Sequence, residues 1–209
     1  VGSPWESQNM MGDIAPHKST DFPLFLPCSR FTDDTVCTVA IADAFLRDVP
    51  FAETLHAWGN RYPNSGFGGS FWEWLQSSDP QPYGSWGNGS AMRVSPVGWV
   101  LPTGATIPEV LALAKRTALP THGHEEGILG AQATALAIFL ARQGQQIDEI
   151  RLVLRSFFPH YDLSRTVDEI RPTYSFDVSC MGSVPEAIIC ALEATSVEEA
   201  VRLAVSLGG

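Results

Sequence analysis

Phe31-Thr32-Asp33-Asp34-Thr35-Val36-Cys37-Thr38-Val39-Ala40-Ile41-Ala42-Asp43-Ala44 is the stretch on which the fold reading turns. Val36, Val39, Ala40 and Ala44 recur at i, i+3, i+4 and i+8, one face of an α-helix. Ahead of them stand a threonine hydroxyl and two adjacent carboxylates. Neighbouring aspartates cannot both point the same way, so the trio offers several oxygens to one small region. Hard divalent cations suit such oxygen-rich sites, and magnesium keeps part of its water there. The same residues also start helices well: Thr and Asp cap free N–H groups, and acids favour the first turn. Both readings stand on the tetrapeptide alone.

Helical patterning continues outward from this point. Leu129, Ala133, Leu136 and Leu140 fall at i, i+4, i+7 and i+11. Thr106 with Glu109, Ser183 with Glu186 and Ser196 with Glu199 have capping-box spacing. Pro108 and Pro185 follow the first two in what reads as a first turn. These signals predict helices over 33–48, 51–60, 70–77, 90–100, 107–118, 125–143, 147–157, 184–194 and 197–206. Long loops cover 7–31 and 78–89. Strand alternation and hairpin turns are scarce, so the expected class is all-α, as a single domain over residues 1–209.

Composition narrows the function. Of 209 residues, 44% are hydrophobic and 17% charged, which describes a folded chain and not a disordered one. The net charge of −10 repels phosphate backbones, so no broad nucleic-acid binding is expected. A phosphate ligand is still possible where local amides or a cation hold it. Cys28, Cys37, Cys180 and Cys190 lack the spacing of a zinc or redox motif and read as reduced, mostly buried thiols. With no apolar run of membrane-spanning length and no leader pattern at Val1–Glu6, a cytoplasmic, monomeric protein is the expectation.

Two further stretches carry chemistry. Trp86-Gly87-Asn88-Gly89-Ser90-Ala91-Met92-Arg93 opens a helix after a long loop. Its glycines would let backbone approach a ligand, and free N–H groups at the helix start would favour a phosphate. The alternative is a turn with Ser90 as a cap. Thr121-His122-Gly123-His124-Glu125-Glu126 holds a His-x-His pair that suits a metal, a ligand hydrogen bond or a helix cap. Glu6 by itself reads as a solvated acid. Neither a Gly-x-Ser-x-Gly elbow nor a P-loop is present, so a serine or cysteine nucleophile has no support.

In this order, the pieces resemble the ADP-ribosylglycohydrolase family. They are Val1–Glu6, Asp21-Phe22-Pro23-Leu24-Phe25, Ser29–Thr35, Gly87–Arg93, Thr121–His124 and Ser179–Glu186. The resemblance implies a compact orthogonal α-helical bundle with two magnesium (or manganese) ions at one end. It implies Thr32, Asp33 and Asp34 as metal ligands, with Glu6 beside the metals and the attacking water. It implies catalysis by Glu6, Asp33 and Asp34. The segment Gly87, Asn88, Gly89, Ser90 and Met92 would wrap ADP-ribose, and His122 would contact it. Trp86 is placed to stack on adenine, from its position before the glycines. The implied reaction is hydrolytic release of ADP-ribose from modified arginine, modified serine or a small compound.

Two family motifs are not in this sequence: a Gly-Asp before the residues matching Val1-Gly2, and a Gly-Asp-x-Asp-Thr after the last helix, where Ser206-Leu207-Gly208-Gly209 stands. Three readings follow. The sequence is a piece of an active enzyme, the expectation we take; the segments come from elsewhere; or the protein keeps the pocket and binds metal weakly. The competing functions are an ADP-ribose-binding or immunity-type module, and an unrelated helical phosphohydrolase built on Asp33-Asp34.

Overall fold

The computed structural model describes residues 18–208, and all regular elements among them are helices. In chain order they are α1 (Asp33–Arg47), α2 (Phe51–Arg61), α3 (Gly69–Gln76), α4 (Gly89–Met92), α5 (Ser95–Val100) and α6 (Ile107–Ala118). There follow α7 (Glu125–Arg142), α8 (Ile147–Phe157), α9 (Val167–Ile170), α10 (Cys180–Glu193) and α11 (Val197–Ser206). The all-α expectation holds. No helix among the described residues is long and apolar enough to cross a membrane.

Helix α7 is the hub. Gly127, Gly130, Ala131, Ala133, Ala135, Leu136, Phe139 and Leu140 are all buried, so it is apolar nearly all round, as a central helix must be. It packs against α4, α5, α6, α8 and α10. Small residues allow the close approach. A Cβ on Gly130 would fall 2.8 Å from Cys180 Cβ of α10, and one on Gly98 of α5 would fall 2.5 Å from Ile138 Cγ2. A smaller cluster joins Cys37, Ala40 and Ile41 of α1 to Leu55 of α2 and to Trp74 and Leu75 of α3.

Five details differ from the sequence reading. The buried stripe of α1 is Val36, Cys37, Ala40, Ile41 and Ala44, while Val39 is 38% exposed. The segment predicted as one helix over 90–100 breaks into α4 and α5, because Pro96 has no N–H for the Met92 carbonyl and its ring crowds that turn. Helix α10 starts four residues earlier than predicted. Its cap is Ser179, whose hydroxyl accepts from Gly182 N; Ser183 and Pro185 lie inside the helix, and Ser183 Oγ donates to Ser179 O at 2.6 Å. Helix α9 was not anticipated, although Thr166 and Glu169 have the same capping-box spacing as the others. Of the predicted boxes, Thr106 with Glu109 forms, the Glu109 carboxylate accepting from Thr106 N at 2.7 Å. Ser196 caps Glu199 N, but the Glu199 carboxylate turns to Thr195 N instead.

Gly127 tests the hub. An added Cβ would lie 2.5 Å from the backbone oxygen of Ser85 and 3.0 Å from His122 Cβ. Alanine gains about 1 kcal/mol of helix propensity, but overpacking against backbone costs about 1–3 kcal/mol. We expect Gly127→Ala to lower the urea midpoint, and Gly104→Ala, with nothing within 4 Å of the added atom, to leave it unchanged within about 0.5 kcal/mol.

Candidate active site

One cavity of about 1000 Å³ is lined by the start of α1, the loop before α4, His122, and the segment entering α10. This is near the upper end of the roughly 300–1,000 Å³ typical of small-molecule sites. Thr32, Asp33 and Asp34 line it together with Gly87, Asn88, Gly89 and His122. Motifs more than thirty residues apart therefore share one space.

At the start of α1, Thr32 occupies the N-cap position but its side chain caps nothing. Its Oγ1 donates to Asp34 Oδ2 at 2.7 Å, and Asp33 N donates to Ser65 O at 2.8 Å, tying the turn to the chain beyond α2. The hydroxyl and the two carboxylates thus form an oxygen-rich edge at the cavity wall. Among the described residues, no group of three or more His, Cys, Asp or Glu side chains is arranged to hold a metal ion. Glu6 lies outside the described residues.

The loop before α4 threads between two other segments. On one side Ser85 N donates to Thr121 O at 3.1 Å and Gly123 N to Tyr83 O at 2.9 Å. On the other, Asn88 N donates to Val178 O at 2.8 Å and Cys180 N to Trp86 O at 3.0 Å. Gly87 N donates to Ser85 Oγ at 3.1 Å. The amides of Gly87 and Asn88 are therefore engaged within the protein, and the helix-start amides expected to favour a phosphate fall at Gly89 and beyond. Asn88 is further held by its amide nitrogen on Ser183 Oγ at 3.1 Å. Ser90 does not line the cavity: it is fully buried, and its Oγ donates to Gly127 O at 2.6 Å. Serving neither as a cap nor as a wall residue, it anchors α4 to α7. Trp86, 51% exposed, and half-buried Met92 do line the cavity.

His122 is buried, with Nδ1 at 2.7 Å from Thr121 Oγ1. Burial first, and then the Arg93 charge, push its pKa down to about 3. His124 behaves differently: it is the exposed N-cap of α7 and its Nδ1 accepts from Glu126 N. The His-x-His pair thus divides between a cavity wall and a helix cap. Arg93 was overlooked in the sequence, although a charge inside Ala91-Met92-Arg93-Val94 was a signal. It lines the cavity while only 1% exposed, and its Nη2 donates to Thr117 O at 3.0 Å and Thr121 Oγ1 at 2.8 Å. Cys37, Cys180 and Cys190 are buried and unpaired, with Cys28 exposed, as expected of reduced thiols. Burial raises Cys37 to about 12 and Cys180 to about 11, so neither is a nucleophile at neutral pH.

The depressed His122 has a consequence for stability. An unfolded histidine takes its proton near pH 6.5, while His122 in the fold refuses one down to about 3. Between these values the unfolded chain binds more protons, so stability falls as pH drops, by up to about 1.4 kcal/mol per unit. We expect urea unfolding from pH 7 to 5 to reveal this slope, and His122→Gln to lack that part of it.

The chain matches the family model described as ADP-ribosylglycohydrolase over residues 1–209. It is 28% identical over 138 residues to ADP-ribosylhydrolase ARH3 of Xenopus tropicalis, covering 57% of this chain and 39% of that protein. Against ADP-ribosylhydrolase ARH3 of Mus musculus it is 30% identical over 138 residues, covering 57% and 36%. The match thus spans less than two fifths of the length of either relative. A solved structure titled ADP-ribosylglycohydrolase-related protein complex superimposes with a TM-score of 0.67 at 22% identity, covering 98% of this chain and 80% of that one. That likeness shows the fold, and the family model covers every motif quoted above: the chain belongs to the ADP-ribosylglycohydrolase family.

Proposed function

We propose that this protein hydrolyses the glycosidic bond between ADP-ribose and a modified arginine, a modified serine or a small acceptor, with magnesium as cofactor. One observation carries the reading: Thr32, Asp33 and Asp34 line the same cavity as Gly87–Gly89 and His122. Family membership and the two ARH3 relatives support the reaction class.

The donor chemistry fits a hard cation. Thr32 Oγ1 and the carboxylates of Asp33 and Asp34 are the oxygens that would hold it, with water filling further positions. When bound, divalent ions polarise ribose hydroxyls and lower the pKa of a coordinated water. The residues themselves do the rest. Departure of the acceptor leaves positive charge at the anomeric carbon, which Asp33 and Asp34 stabilise electrostatically. The glycines keep side chains off the wall beside His122, so a ligand reaches the imidazole. Trp86 presents an exposed indole at the rim for a nucleobase to stack on. With both aspartates at the start of α1, a cation there would also offset a ligand diphosphate, which suits a chain of net charge −10.

A second reading is a module that binds ADP-ribose without cleaving it; the two-carboxylate edge, with no larger acidic group among the described residues, favours it. The test is incubation with ADP-ribosyl-arginine and ADP-ribosyl-serine peptides, with magnesium or with EDTA. We expect magnesium-dependent release of ADP-ribose. Asp33→Asn and Asp34→Asn are each expected to slow release by about 100-fold or more while circular dichroism stays native. Full activity in both variants would remove the metal assignment, and tight ADP-ribose binding without turnover would favour the module.

A further inference from the structure

Arg93 is the largest fully buried side chain among the described residues. A guanidinium carries donors only. Its Nη2 donates to Thr121 Oγ1 at 2.8 Å and therefore uses a lone pair of that hydroxyl. Thr121 is itself fully buried, and its one hydroxyl hydrogen needs an acceptor. The other neighbour of Oγ1 is His122 Nδ1 at 2.7 Å. If Nδ1 carried the ring proton, two donors would face Oγ1. The threonine hydrogen would then be buried without a partner, a cost of about 1–3 kcal/mol.

We propose that Arg93 and Thr121 form a relay that locks His122 as the Nε2–H tautomer, so that the imidazole donates a hydrogen bond to a ligand oxygen and does not act as a base. The far side of the ring agrees with this. Nε2 has no protein partner among the described hydrogen bonds. It lies beside two cavity-lining glycines: a Cβ on Gly89 would stand 3.1 Å from it, and one on Gly87 3.9 Å. Any side chain at 89 would cover the donor. The low proton affinity of His122 keeps the ring neutral across physiological pH, the state in which a tautomer matters. Arg93 and Thr121 are positioning residues, acting through His122. The identity of the ligand oxygen rests on the proposed function; the tautomer does not.

The test uses the full chain labelled with ¹⁵N-histidine, with His122 assigned by loss of its signals in His122→Gln. Long-range ¹⁵N–¹H correlation at pH 7 is expected to show Nε2 protonated and Nδ1 bare but hydrogen-bonded. Thr121→Val should shift the Nδ1 resonance and weaken ADP-ribose binding about tenfold, and Thr121→Ser should restore both to within about twofold. Arg93→Met removes one donor from Oγ1 but supplies no acceptor for the threonine hydrogen, so Nε2–H should persist while the Nδ1 resonance shifts as the hydroxyl loses its anchor. A protonated Nδ1 in the unsubstituted protein, or an unmoved Nδ1 resonance in Thr121→Val, overturns the relay. Should Arg93→Met or Thr121→Val fail to fold, the unsubstituted and Thr121→Ser spectra decide. A protein that shows Nε2–H but binds no ADP-ribose keeps the relay and loses the proposed function.

Discussion

The cavity rests on how closely α7 approaches its neighbours. Gly127 brings the helix against the Ser85 carbonyl and the His122 side chain, and Gly130 brings it against Cys180 at the start of α10. Ser90 then closes the contact by donating to Gly127 O. With α7 fixed in this way, the loop before α4 has one place to run, between residues 121–123 and residues 178–180. Backbone bonds hold it on both sides. Glycine is required here for space, since its neighbours include backbone that cannot move aside cheaply.

The charges of the site are separated by the same packing. Arg93 is held under the cavity by the end of α6 and by Thr121, and Asp33 and Asp34 stand at the start of α1. Burial dominates the shift of Cys37, which also feels all three charges. Burial first, and then the Arg93 cation, lower the proton affinity of the neighbouring imidazole. An otherwise acidic molecule thus lines its cavity with both signs, Arg30 and Arg93 together with Asp33, Asp34 and Asp177. That polarity suits a ligand with an anionic part and a developing positive charge.

Most helices were legible in the sequence because apolar spacing and capping chemistry are local. Helices α1, α2, α3, α6, α7, α8 and α11 lie within about two residues of where periodicity put them. The misreadings occurred where a local signal had two meanings. Pro185 resembles a first-turn proline, but Ser179 offers a competing cap upstream and tertiary packing tolerates the proline inside α10. Pro96 was passed over inside an apolar pattern that continues across the break. Ser90 reads as a cap or a ligand contact by sequence, and its burial against Gly127 makes it neither.

What the sequence determined by itself was the all-helical class and which segments carry oxygen donors, glycines and histidines, since residue type and spacing decide both. Only the tertiary structure decided that residues 32–34, 87–89 and 122 share one cavity, because contacts between distant segments depend on packing around α7. It also decided the roles of the two histidines. One ring is buried with its Nδ1 against Thr121 Oγ1, which Arg93 holds in turn, and the other, two residues on, meets solvent and the Glu126 amide at a helix start. The same side chain lines a cavity in one place and caps a helix in the other according to what is packed around it, and no spacing rule records that.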